Sequence, residues 1–151
     1  MQADNWRMTV AAIATVLGGR KTLKRTLKTE RDLRVVTREG LPVATLPMLA
    51  ETLGIERKEL ARIVGISERT LSRRLASKTK LTLEESDRIM RLARVLAHAM
   101  DTFGEADKAS RWLQRPNLAL GGERPLDLLD TDGGRNEVET ILGRIDYGLF
   151  S

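Results

Sequence analysis

Residues 56–76, ERKELARIVGISERTLSRRLA, hold two short amphipathic segments on either side of a glycine. Leu60, Ile63 and Val64 fall on one face of a first helix, and Ala61 is small enough to let a second helix cross closely. Gly65, four residues beyond Ala61, stands where a left-handed helix terminator belongs. Ser67 is placed to cap the next helix, with Glu68 in its first turn. Leu71 and Leu75 then face inward, which leaves Glu68, Arg69, Ser72 and Arg73 on the opposite side. The same pattern would serve a plain helical hairpin with a solvated charged face. The coincidence of small, glycine, apolar and basic positions favours a helix-turn-helix, whose second helix enters a major groove. On that reading Arg69, Ser72 and Arg73 are expected to reach base edges, and Arg74, Lys78 and Lys80 to hold phosphate.

The rest of the chain suits an all-α protein. Its 151 residues allow one modest domain or two small ones, with aromatics at only 3% and no cysteine. The core must therefore be aliphatic, and disulfides, thiolate metal sites and cysteine nucleophiles are excluded. The apolar run near Val10 to Leu17 is interrupted by Thr15 and is far shorter than the roughly 20 residues of a membrane span. No export signal or membrane span is expected, and a reducing cytoplasm fits. The net charge of +5 is unevenly distributed: residues 1–82 carry 17 Lys and Arg against 8 acids, and residues 83–151 carry 9 against 13. The basic part contains the helix-turn-helix and suits phosphate; the acidic part suits another partner.

In chain order, helical spacing predicts a first helix from Asp4 or Asn5 to Leu17, burying Val10, Ile13, Ala14 and Leu17 and ending at Gly18-Gly19. The run Arg20 to Lys28, RKTLKRTLK, is open to three readings: a solvated linker, an arm touching phosphate, or a helix with Leu23 and Leu27 inward. A helix near Asp32–Glu39 precedes the break Gly40-Leu41-Pro42. Thr45 is expected to cap the next, which buries Met48, Leu49 and Leu53 and tolerates Pro47 in its first turn. Thr82 with Glu85 forms a capping box, which opens the best helix of the chain, with Ile89, Leu92, Ala93, Leu96, Ala97 and Met100 in register. A short helix carrying Ala106, Ala109, Trp112 and Leu113 stops at Pro116-Asn117. A helical turn begins at Pro125, and a last helix from about Gly134 buries Val138, Ile141, Leu142 and Ile145 and ends at Gly148. These signals divide the chain into residues 1–103, with the helix-turn-helix, and 104–151.

Enzyme chemistry finds no foothold in this pattern. His98 is the single histidine and has no ligand partner at metal spacing, so a structural or surface role is expected. Asp127, Asp130 and Asp132 cluster, but two of them border a turn and suit helix caps better than an acid–base pair. Gly121-Gly122 and Gly133-Gly134 lack the Lys-Ser/Thr ending of a phosphate loop. Neither a catalytic site nor a cofactor or metal is implied.

One set of residues has a family character. Gly40-Leu41-Pro42, Arg69-Thr70-Leu71-Ser72-Arg73-Arg74, Trp112-Leu113, Pro116 through Gly122 (PNLALGG), Pro125-Leu126, Leu128-Leu129 and Tyr147-Gly148 together resemble the Xre/MbcA/ParS-like antitoxins. The resemblance spans about Gly40 to Gly148, and its C-terminal series is the specific part. It implies a helix-turn-helix core followed by a C-terminal toxin-binding region, a partner similar to a RES-domain toxin that consumes NAD, a homodimer, and repression of the antitoxin's own operon through double-stranded operator DNA. Arg57 departs from the glutamine that many such motifs use for phosphate.

Under this resemblance Trp112, Leu113, Asn117, Leu120, Leu128, Tyr147, Gly148, Leu149, Phe150 and Ser151 are the expected toxin contacts, the last five entering or covering the toxin's pocket. The apolar first helix around Trp6, Val10, Ile13 and Leu17 is the first candidate for a dimer surface, and the long helix from Leu83 the second. The rival reading is an ordinary helix-turn-helix regulator with a small-molecule site in its C-terminal half.

Overall fold

The computed structural model describes residues 10–148. Its elements are helices throughout: α1 over 10–16, α2 Gly19–Leu23, α3 Glu30–Glu39, α4 Thr45–Leu53, α5 Arg57–Val64, α6 Glu68–Ser77, α7 Leu83–Phe103, α8 Ala106–Gln114 and α9 Asp132–Asp146. Two 3₁₀ turns, Leu118–Leu120 and Pro125–Leu128, separate α8 from α9. Among the described residues the β pairing amounts to one isolated bridge, Pro42 with Lys80, and no helix is long and apolar enough to cross a membrane.

The long helix α7 organises the packing. Its start is fixed by the expected capping box: Thr82 Oγ1 accepts from the Glu85 amide at 3.2 Å, and Glu85 Oε1 accepts from the Thr82 amide at 2.9 Å. Ile89, Leu92, Ala93, Val95, Leu96, Ala97 and Ala99 are all buried, so α7 is covered on more than one side. Helices α3, α4 and α5 pack on it from the helix-turn-helix part, and α8 and α9 from the C-terminal part. The alanines set how closely those neighbours approach.

Local capping reproduces the expected boundaries with few exceptions. Thr29, rather than Asp32, starts α3, and Asp32 completes its capping box. Thr45 is the first residue of α4, not its cap; its hydroxyl donates to the Pro42 carbonyl at 2.8 Å. Met48 is exposed, and Leu46 takes its place in the core beside the expected Leu49 and Leu53. Thr131 caps α9 by accepting from the Gly134 amide, so none of Asp127, Asp130 and Asp132 is the cap expected of them. The basic run is helical over Gly19–Leu23; Leu27 lies beyond the helix but is buried as Leu23 is.

The first candidate for a dimer surface does not survive. Val10, Ile13 and Leu17 are buried within the chain itself, because α1 supplies part of the monomer core. Trp6 lies outside the described residues.

Two glycines are required by close approach. Gly40 has φ +97°, and a Cβ there would lie 2.5 Å from the Leu81 carbonyl oxygen. That approach lets the Leu81 amide donate to Leu41 O at 2.8 Å, while Ser86 Oγ accepts from the Leu41 amide. At Gly134 a Cβ would lie 1.8 Å from the Leu128 carbonyl oxygen, whereas Gly133 beside it meets nothing within 4 Å. Gly134→Ala is therefore expected to destabilise the fold by roughly 1–3 kcal/mol or more through overpacking, and Gly133→Ala to be neutral or mildly stabilising. Thermal denaturation of the two variants checks this pair.

Candidate interaction surfaces

The helix-turn-helix forms as its residues require. Helix α5 ends at Gly65, whose φ is +84°, and the Gly65 and Ile66 amides both donate to Ala61 O at 2.8 Å. Arg88 of α7 donates to the Val64 carbonyl at 3.0 Å and so binds another free end of that helix. Ser67 Oγ accepts from the Thr70 amide and starts α6, and buried Leu71 seats it. Arg69, Ser72 and Arg73 are exposed together on the outer face of α6; Lys78 and Lys80 are exposed just after it. Arg74 differs. Its guanidinium forms a close ion pair with Glu85 and is only 20% exposed. It braces the start of α7 rather than reaching phosphate, and its partner, the capping-box glutamate, was the available signal.

The C-terminal region is fastened to the helix-turn-helix by polar contacts. Arg124 donates twice to Asp127, at 2.9 and 2.8 Å, and once to Glu59 of α5 at 2.8 Å. Arg62 of α5 stands 3.6 Å from the same Asp127. A fork of this kind uses the planar guanidinium fully. The hydrogen bonds from Arg124 hold the Asp127 carboxyl below the usual range, and Asp127 and Glu59 raise the Arg124 guanidinium. On α8, Ser110 and Gln114 both donate to the Leu53 carbonyl at the end of α4, Gln114 at 2.8 Å. That carbonyl is one of those left without a partner inside its own helix.

Residues 117–123 form a closed loop. Asn117 Oδ1 accepts from the Ala119 amide at 2.9 Å, the Asn117 amide donates to Glu123 O at 3.0 Å, and the Gly122 amide donates to Asn117 O at 2.9 Å. Leu120 points inward at 6% exposure and anchors the loop, while Leu118 stands 96% exposed at its tip. Leu113 is fully buried. Leu113 and Leu120, expected at the partner-facing surface, therefore belong to the core. The residue that the loop offers to solvent is Leu118, absent from the sequence expectation. Its signal was the tight 3₁₀ turn closed by Asn117 and Gly121, which cannot turn both leucines inward.

Trp112 is partly buried against Phe103, ring centroids 5.5 Å apart, and Leu128 is likewise partly buried. The end of α9 is held to α7: His98 Nε2 donates to Asp146 Oδ2 at 2.7 Å and Thr102 Oγ1 to Asp146 Oδ1 at 2.6 Å. The single histidine is thus structural. It fixes the point from which Tyr147, 83% exposed, and Gly148, φ +74°, project. Leu149, Phe150 and Ser151 lie outside the described residues.

Residues 32–94 match the antitoxin Xre-like helix-turn-helix domain, and residues 98–148 match the antitoxin Xre/MbcA/ParS C-terminal toxin-binding domain. The chain is 40% identical over 120 residues to antitoxin Xre of Photorhabdus laumondii, spanning 79% of this chain and 81% of that protein. It belongs to the Xre antitoxin family. Antitoxin Xre of Pseudomonas putida is 37% identical over 122 residues, covering 78% of this chain and 76% of that one. The Prs ADP-ribosylating antitoxin of a Sphingobium species is 28% identical over 125 residues, with 77% and 79% covered. Among solved structures, the crystal structure of the M. tuberculosis MbcT–MbcA toxin–antitoxin complex contains a chain similar to this antitoxin. The TM-score is 0.55 at 28% identity, over 72% of this chain and 96% of that one. The antitoxin reading thereby prevails over the ordinary regulator.

The depressed carboxyls give the antitoxin a defined acid sensitivity. The Arg94 guanidinium, at 2.7 and 3.1 Å, holds Glu30 below its ordinary 4.5. Burial pushes Glu85 up, but the Thr82 amide and Arg74 outweigh it and lower the group. A carboxyl lowered by folding contributes stability above its unfolded pKa and loses it as pH falls through the folded one. The melting temperature is expected to hold from neutral pH down to about pH 5 and to fall steadily below about pH 4. Glu30→Gln and Asp127→Asn should each start lower and fall less steeply, as read by thermal melts across pH.

Proposed function

We propose that this antitoxin neutralises a partner toxin by covering its active site, and represses its own operon as a homodimer on double-stranded operator DNA. The toxin is a RES-domain enzyme that consumes NAD, the partner implied by the resemblance. The antitoxin acts by binding alone and contributes no chemistry of its own. The observation that carries this reading is the pair of free surfaces on one body. One is the row Arg69, Ser72, Arg73 on α6 with Lys78 and Lys80 beyond it. The other is made of the exposed Leu118 and Tyr147, with the partly buried Trp112 and Leu128, on the region that matches a toxin-binding domain.

On DNA, Arg69, Ser72 and Arg73 read bases, and Lys78 and Lys80 hold phosphate. One recognition helix spans too few base pairs for a specific site, so two copies about a two-fold axis read an inverted repeat. Arg73→Ala should relax sequence preference at a cost of about 1–3 kcal/mol, while Lys78→Ala should weaken all sequences alike and reduce the salt slope by about 0.9 for each of the two bound copies. Salt-titrated shift assays with the DNA upstream of the antitoxin's gene separate the two. Wild-type binding by both variants would contradict the assignment.

Toward the toxin, a pocket that binds NAD needs apolar surface for rings and positive charge for pyrophosphate. Tyr147, Leu149 and Phe150 offer apolar surface, Gly148 lets the backbone leave the helix, and the Ser151 carboxylate supplies an anion. Leu118 docks beside the pocket, with Trp112 and Leu128 around it, and residues 147–151 enter or cover it. In co-expression with the neighbouring toxin gene, deletion of Leu149-Phe150-Ser151 should leave DNA binding intact and abolish protection of NAD. Leu118→Asp should release the toxin itself. Full protection of NAD by the truncated protein would overturn the occlusion.

A further inference from the structure

The run Arg20–Lys28 is unused by any of these surfaces, although it carries Arg20, Lys21, Lys24, Arg25 and Lys28 with no acid in nine residues. It is not a loose linker. Leu23 and Leu27 are buried and pin it at two points, and α2 ends with the Lys24 amide donating to Arg20 O at 2.8 Å. Among the described residues Arg25 alone of the five has an ion-pair partner, Glu39 at 2.6 Å. Arg20, Lys21, Lys24 and Lys28 are exposed.

That single pair places the run. Glu39 ends α3, and the next residue, Gly40, packs so tightly on the loop after α6 that a Cβ would lie 2.5 Å from Leu81 O and 3.4 Å from Lys80 Cβ. Pro42 then bridges Lys80. The run is thus joined at Arg25, through Glu39 and Gly40, to the loop that carries Lys78 and Lys80 after α6, while Lys28 lies at the other end of α3, its amide donating to Asp32 at 2.8 Å. Lys24 and Lys78 are also the two non-glycine residues with positive φ among those described, at +62° and +56°. Each ends its helix and turns the chain there.

Four exposed cations held by a pinned backbone repel one another, and a polyanion relieves that repulsion while releasing its own counterions. We propose that Arg20, Lys21, Lys24 and Lys28 form a second DNA contact. It clamps the phosphate backbone of the duplex beside the bases read by α6, without regard to sequence. This rests on the helix-turn-helix reading and extends the operator footprint beyond what one recognition helix covers.

The test uses the full-length antitoxin and a variant carrying Arg20→Gln, Lys21→Gln and Lys28→Gln, all at exposed positions, with Lys24 left in place because of its backbone conformation. Matching thermal melts establish that the variant is folded. Binding is measured across salt concentrations on two duplexes from upstream of the antitoxin's gene. One is trimmed to the bases protected by α6, and the other is extended on both sides. On the extended duplex the variant's log–log salt slope should be shallower by about 5.4, from three phosphates for each of the two bound copies at about 0.9 per phosphate; on the trimmed duplex it should match wild type. Equal slopes on the extended duplex would overturn the clamp while leaving the helix-turn-helix reading standing. Loss of toxin capture with an unchanged DNA slope would also overturn it, and assign the run to an acidic protein surface. If wild type binds neither duplex, both the clamp and the DNA reading fall.

Discussion

Burial of α7 is the constraint on which this structure depends. A helix of 21 residues is about 32 Å long, and this one is packed against α3, α4 and α5 of the helix-turn-helix part and against α8 and α9 of the C-terminal part. The capping box at Thr82 and Glu85 sets where the helix begins, and the Glu85 carboxylate also holds Arg74 of the recognition helix. The helix that carries the exposed Arg69, Ser72 and Arg73 and the core helix are therefore tied together by one side chain.

The functional surfaces follow from where that burial stops. On the helix-turn-helix side, Leu71 turns one face of α6 inward and leaves Arg69, Ser72 and Arg73 outward. On the other side, Leu113 and Leu120 are spent on the core, so the loop between them projects and shows Leu118. Arg124 and the Ser110–Gln114 pair then tie the C-terminal region to α5 and α4. A surface that must fit another protein gains from such rigidity, since little ordering remains to be done on binding.

Much of this was legible in the residues. The helix-turn-helix, the Thr82 box, the breaks at Gly18, Gly40, Gly65 and Gly148 and the stripe of α9 rest on local chemistry that a sequence displays directly. The misreadings share another cause: they depend on contacts between distant residues. Arg74 looked free until Glu85 was placed beside it, and Asp127 looked like a cap until Arg124 and the distant Arg62 were placed beside it. An apolar helix such as α1 has the same pattern whether it buries within its own chain or against a second copy. Likewise, alternating leucines in a 3₁₀ turn do not say which one faces out. Family resemblance supplied what spacing alone could not, the toxin-binding character of the last third.

The central claim is that both surfaces belong to one cooperative body built on α7. Native-state hydrogen exchange tests it most directly, by following amides in α5, α7 and α9 across increasing denaturant. The account predicts that the slowest amides of Leu60–Val64, Leu92–Leu96 and Val138–Leu142 share one opening free energy and one denaturant dependence. Two separate openings, with α8 and α9 exchanging while α5 through α7 stay protected, would contradict it.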